Sequence, residues 1–412
     1  MKMITTILIS AMTLTACGIN IAVEETGKAK EKETVTLRVW GAKEDQELLG
    51  ELIEGFKEEH NDEAIFDIIL EEQEEVDCKY NILNNVNEAA DIFTFADDQL
   101  MTFAAAGVIE PITYQNEIAQ TNIEGAVNAA KLGEQIYAYP LTADNGYFMY
   151  YNKNYFSEQD VKSLDTMLEV AKKHNKKIAM EWDAGWYLYA FFGNTGLTLG
   201  LNDDYVTNYC TWNAKDSAIK GTDVVEAMRK IATSGAFVNV NSDEFIAGIQ
   251  EGSIIAGVNG AWNAVTIQNA WQDGYAASKL PTYTVAGQQV QMASYAGYKM
   301  IGVNSYCENK EWAEQLALYL SNEESQELRF QRRGQGPSNI NAANSEEVNG
   351  SIAIKALIEQ SEFASIQRVG ELYWDASRKL GEAIASGNFN DLSHQQFLDE
   401  IVKEMTAGIV KD

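Results

Sequence analysis

From Val35 to Trp40 apolar and polar positions alternate, Val-Thr-Leu-Arg-Val-Trp, and the run stops at Gly41. A period of two belongs to a half-buried strand, so Trp40 is expected at its carboxyl end, facing a crevice. The period then changes. Leu48, Leu49, Leu52, Ile53 and Phe56 recur at helical spacing behind a cluster of acids, which predicts a helix from Asp45. Residues 64–70 return to a strand pattern, and Asp91-Ile92-Phe93-Thr94-Phe95 gives a third strand that stops at Ala96-Asp97-Asp98. Leu100, Phe103 and Ala104 share one face of the next helix, which Gly107 can end in a left-handed conformation. Strand, helix, strand, helix, strand predicts a parallel sheet. Ligands of such sheets sit outside the carboxyl ends of the strands, where Phe95, Asp97 and Asp98 would gather. An aromatic face beside a carboxylate suits a ligand apolar on its faces and hydroxylated at its rim, which describes a sugar ring. The other use of Phe95 is as a core residue at a strand end.

The second half carries its own strands and aromatics. Tyr147-Phe148-Met149-Tyr150-Tyr151-Asn152 is an aromatic strand preceded by Gly146. Glu181-Trp182-Asp183-Ala184-Gly185-Trp186-Tyr187 holds three aromatics and two acids. A core would take the aromatics, yet Gly185 and the carboxylates fit a core poorly, so Trp186 or Tyr187 is expected on a ligand-facing wall. Thr222 is expected to cap a helix bearing Val225, Met228 and Ile231, closed by Gly235, and a short helix spans 243–250. An apolar strand then ends in Asn259-Gly260-Ala261-Trp262, and another ends at Leu280-Pro281-Thr282. Residues 310–322 predict a helix with Trp312, Leu316 and Tyr319 inward, and helical segments follow Arg332-Arg333-Gly334-Gln335-Gly336-Pro337-Ser338.

The chain's 412 residues are too many for one compact core and natural for two lobes. Lys2 precedes an apolar run, Met3 to Thr15, too short to span a membrane, which ends Leu14-Thr15-Ala16-Cys17. That is a secretory signal with cysteine after the cut. Residues 1–16 are expected to be removed, Cys17 to carry a diacylglycerol and an acylated amine, and 17–33 to form a solvated tether. The net charge of −30 argues against nucleic acid, whose phosphates need clustered Lys and Arg, and fits an acidic solvated exterior. Cys78, Cys210 and Cys307 allow at most one disulfide and are as readily three free thiols. His60, His174 and His394 stand far apart, so no metal site or histidine triad is expected. No GxGxxG follows the first strand, and no cofactor is expected.

Four segments carry a resemblance. "ADIFTFADDQL…AGVIEPI", "VWGAKEDQELL", "YAYPLTADNGYFMYYNKNYF" and the strand ending in Asn-Gly-x-Trp resemble, in order, segments of the bacterial extracellular solute-binding proteins, in particular maltose and maltodextrin binders. The resemblance runs from about residue 35 to 410. It implies an α/β, two-lobed periplasmic-binding-protein fold with three interlobe crossovers, closing like a hinged clamp. The first lobe would be 34–141 and 297–333, the second 146–293 and 338–412, with hinges near 140–146, 293–298 and 334–338. It further implies that Lys43, Glu44 and Asp45 reach sugar hydroxyls, helix capping being the rival use for Asp45. Asp144 stands where the family has an acidic sugar ligand, and Trp262 where a tryptophan stacks. Leu372-Tyr373-Trp374 matches a late aromatic pair, making Tyr373 and Trp374 candidate stackers.

The function so implied is a surface receptor on the outer face of a bacterial membrane, not an enzyme. It would deliver a malto-oligosaccharide, or another oligosaccharide, to the membrane subunits of an ABC importer. Phe95, Trp262 and Trp374 would stack while Asp98, Asp144, Glu44 and Lys43 read hydroxyls. Two alternatives stand beside it: a surface sensor or adhesin, and a lipid-anchored glycoside hydrolase working with two carboxylates about 5 to 10 Å apart. Two departures bear on maltodextrin as the ligand: Ala264 stands where an aromatic is usual, and Phe95 lacks an indole donor.

Overall fold

The computed structural model describes residues 32–204 and 206–408. Cys17, the signal at 1–16 and most of the tether lie outside the described residues, and Glu33, expected at the tether's end, already belongs to the first strand.

Two five-stranded sheets build two lobes. In the first, strands Glu33–Gly41, Ala64–Glu72 and Ile92–Ala96 run parallel, with Glu33–Gly41 in the middle of the three. Lys299–Val303 then pairs antiparallel with both Ile92–Ala96 and Tyr139–Thr142. The sheet is therefore mixed where a parallel one was expected, because two strands that local periodicity cannot assign arrive from far along the chain. Val35, Leu37 and Val39 point into the core, and helix Gln46–Glu59 covers them with Leu48, Leu49, Leu52, Ile53 and Phe56. The side chain of Asp45 does not cap this helix.

The second sheet centres on Ile254–Gly260; beside it Tyr147–Asn152 pairs antiparallel with both Ile254–Gly260 and Tyr275–Ser278. All six residues of Tyr147–Asn152 are buried. Tyr147, Met149 and Tyr151 face one core cluster, and Phe148 and Tyr150 the other. A continuous apolar run is what a strand covered on both faces requires. The helix expected from Thr222 spans Gly221–Ala232 and is capped at Lys220, with Asp223 accepting the Lys220 backbone N–H at 2.8 Å. Residues 280–282 end no strand; Leu280 and Pro281 lead from Tyr275–Ser278 into a strand that Thr282 begins, Thr282–Val285.

Three chain segments run side by side between the sheets. Ala143 N–H donates to Gly336 O at 2.8 Å, and Asn145 N–H to Gly297 O at 3.2 Å. Cys78, Cys210 and Cys307 are all free thiols. Burial pushes the thiols of Cys210 and Cys307 up to about 12, which leaves them unreactive at neutral pH. Among the described residues no helix is long and apolar enough to cross a membrane.

Candidate functional site

A cavity of about 800 Å³ opens between the lobes. The second lobe supplies its aromatic wall. Trp262 follows strand Ile254–Gly260 in a short helical turn, which places the indole just past the strand's carboxyl end. Trp186 begins helix Gly185–Phe192, and its ring lies 5.7 Å from that of Trp262 at a tilt of 36°. Its Nε1 donates to Gln367 Oε1 at 2.7 Å, which fixes the ring without covering the face. Tyr187 closes the floor under Trp186, with ring centroids 5.0 Å apart, and Trp374 on helix Leu372–Ser386 completes the wall.

The first lobe offers charge. Glu44, Asp45, Glu74, Glu75, Asp77 and Asp98 all border the cavity. Burial tends to raise Asp45, but the positive charges of Arg329, Lys299 and Arg333 outweigh it and hold the carboxyl down at about 2. Arg333 Nε reaches Asp45 Oδ1 at 2.9 Å. Lys299 pairs with Glu75 at 3.0 Å and lies 5.8 Å from the Trp262 ring, so it spans the two walls. Asp98 behaves oppositely: burial, then the neighbouring charge of Asp97, pushes it up to about 7. Its Oδ1 is buried without a hydrogen-bond partner. Across the cleft Glu181 is also raised to about 7, by burial and then by Asp183 and Glu244. Near neutral pH both can donate to or accept from a hydroxyl.

Five sequence candidates lie elsewhere. Phe95 is completely buried, its ring 5.7 Å from Phe93 and 5.1 Å from Phe103, whereas Asp98 lies past the strand's end in the short helical turn Asp97–Gln99. Tyr373 is likewise sealed, its hydroxyl donating to Gly185 O at 2.6 Å. Gly185 is itself a packing residue, since a Cβ there would sit 1.9 Å from Ser377 Oγ, so two helices touch at this point. That close approach, and not a ligand, is why glycine stands among the aromatics. Asp144 is buried in the crossover, where it accepts the Gly336 N–H at 2.7 Å and ties one connecting segment to another. Trp40 packs against the first-lobe core and donates to Glu71 at 2.9 Å. Lys43 is exposed and outside the cavity lining. Glu44, Asp98, Trp186, Tyr187, Trp262 and Trp374 are brought together around the cavity.

Tyr80 borders the cavity as well, although no sequence motif marks it. Helix Glu75–Asn84 buries Cys78 and Ile82, which leaves Tyr80 on the opposite face, 70% exposed and at the cavity rim. The spacing of Cys78 and Ile82 was the available signal. Lys299, Arg333 and Gln367 gave none, because each reaches the cleft only through long-range pairing.

This geometry, two lobes around an aromatic and acidic cleft, is that of a ligand-binding clamp. The chain belongs to the bacterial extracellular solute-binding proteins, whose family model matches residues 51–356. It resembles the galactooligosaccharide-binding protein of Bacillus subtilis (strain 168), 23% identical over 97% of this chain and 95% of that protein. A solved structure with acarbose superposes with a TM-score of 0.80 at 30% identity, over 91% of this chain and 99% of that one. The maltose/maltodextrin-binding domain MalE from Bdellovibrio bacteriovorus, bound to maltotriose, gives 0.77 at 18% identity, over 90% and 98%. The protein is therefore a solute binder and not an enzyme, which removes the hydrolase alternative.

Proposed function

We propose that this protein is the oligosaccharide receptor of an ABC importer, held on the outer face of the membrane through a lipidated Cys17. The observation that carries the reading is the division of the cleft: Trp186, Trp262 and Trp374 on one wall and most of the carboxylates on the other. Indole faces cover the apolar faces of pyranose rings, and carboxylates take hydroxyls in charge-assisted hydrogen bonds. Glu44, Asp98 and Glu181 are the residues assigned to hydroxyls, and Trp262, Trp186 and Trp374 those assigned to stacking. The three side-by-side connections at 143–146, 297–298 and 334–338 are assigned as the hinge. Relatives that bind maltodextrin and acarbose favour an α-glucan ligand. The relative from Bacillus subtilis, matched over nearly the whole chain, supports a galacto-oligosaccharide as the second reading.

Titration calorimetry on the full chain against malto-, galacto-, xylo- and manno-oligosaccharides decides between them. Binding to the malto series alone establishes the first reading, and binding to the galacto series alone the second. Silence toward all four overturns the receptor function. Membrane retention of a Cys17→Ser variant in cells, equal to that of the wild type, overturns the lipid anchor.

A further inference from the structure

Behind the main cleft lies a second chamber of about 370 Å³. The two adjoin, with Lys79, Asp98, Gln367, Glu371 and Trp374 lining both. Its far walls come from both lobes: Thr102 on helix Leu100–Ala105 from the first, and Leu201 and Met405 from the second. At the neck the Lys79 ammonium and the Glu371 carboxylate form an ion pair that bridges the lobes. Trp374 and Asp98 also stand at this neck, and Asp98 Oδ1 is the buried acceptor without a protein partner. Buried polar atoms are rarely left so, and this one borders an open space that a hydroxyl can enter.

We propose that this chamber is an end subsite, into which the terminal unit of a linear oligosaccharide passes beside Trp374 and gives a hydroxyl to Asp98. The proposal rests on the oligosaccharide reading above and adds to it a site that measures chain length. The chamber's chemistry fits a neutral hydroxylated ring. Leu201 and Met405 supply apolar surface, and Thr102 and Gln367 supply hydrogen-bonding groups. Its two cations are already engaged, Lys79 with Glu371 and Arg368 with Asp97 at 3.3 Å. A phosphate or carboxylate at the chain's end therefore finds no free positive charge among the described residues lining the chamber. Because both lobes build the walls, the subsite is complete only when the lobes are together.

The test is calorimetry of the full chain with a graded series, from disaccharide to hexasaccharide, of the linkage the wild type binds. Thr102 is exposed and borders the chamber alone, so Thr102→Trp fills it without touching the main cleft or the core. Leu201→Trp fills it from the opposite wall, and thermal unfolding of both variants checks that the fold is kept. Disaccharide affinity is expected to stay within about twofold while the longest ligands lose roughly tenfold, the worth of one hydrogen bond to a charged group. Variants that bind every length as the wild type does, or that lose equally at every length, overturn the subsite. A wild type whose affinity does not rise with length overturns it too, while leaving the oligosaccharide reading intact. A wild type silent toward every series overturns both.

Discussion

The two walls of the cleft face the same space but are built from different chemistry. The second lobe presents indoles at the ends of a strand and two helices, and its acids are few. The first lobe presents carboxylates, and among the described residues its one cleft aromatic is Tyr80, at the rim. This division teaches that the lobes do different work. On the proposed function, stacking, which is tolerant of ring identity, would give the aromatic lobe adhesion to any pyranose, while a carboxylate left without its hydroxyl is penalised, which would give the charged lobe discrimination.

The sharpest way to break that contrast is Phe95→Ala. If the first lobe's aromatic belongs to the core, the change costs about 3 to 5 kcal/mol of stability in denaturant unfolding. Affinity of the folded fraction should be unchanged; an affinity loss without instability would return Phe95 to the cleft. Next in size, Trp262→Ala should lower affinity by about 2 kcal/mol or more, roughly thirtyfold, measured by calorimetry with the protein's thermal midpoint held as control. Unchanged affinity would remove the aromatic wall.

Acidity separates the walls in another way. The folded state holds protons on Asp98 and Glu181 up to about pH 7, whereas unfolded carboxyls release them near pH 4, at their usual values of 3.8 and 4.5. Between those limits the native state binds more protons, so these two groups make stability fall as pH rises from about 4 to 7. Asp45, held at about 2, acts with opposite sign, and its contribution is lost as pH falls below about 4. Thermal unfolding of Asp98→Asn and Glu181→Gln should show a flatter decline between pH 4 and 7; a slope as steep as the wild type's would contradict the burial of these carboxyls. The smallest effect belongs to the rim: Tyr80→Ala should cost about 1 kcal/mol of affinity, close to fivefold in calorimetry, with no change in stability.

Local patterns made much of the fold legible. The stripe from Leu48 to Phe56, the aromatic strand at Tyr147 and the strand leading to Trp262 all follow from periodicity and lie where it puts them. What periodicity cannot carry is the pairing of strands distant in sequence, which inserts Lys299–Val303 between Ile92–Ala96 and Tyr139–Thr142 and brings Lys299 to the cleft. Tyr373 and Trp374 show the same limit at the site. They are adjacent and chemically alike, yet one is sealed by its bond to Gly185 and the other borders the cavity, because a helix turns 100° between them. Asp144 shows a related limit: its Oδ2 accepts the Gly336 N–H, a bond between connecting segments that local pattern does not announce.

The indoles of the cleft have an optical consequence. Trp186, Trp262 and Trp374 border the cavity, while Trp182 and Trp212 are sealed in the core. On the proposed function, a sugar ring laid over the first group would displace water from their faces and move their emission toward the blue, while the sealed pair would contribute a constant background. The molecule thus carries its own dye, and a fluorimeter can follow its loading without any label.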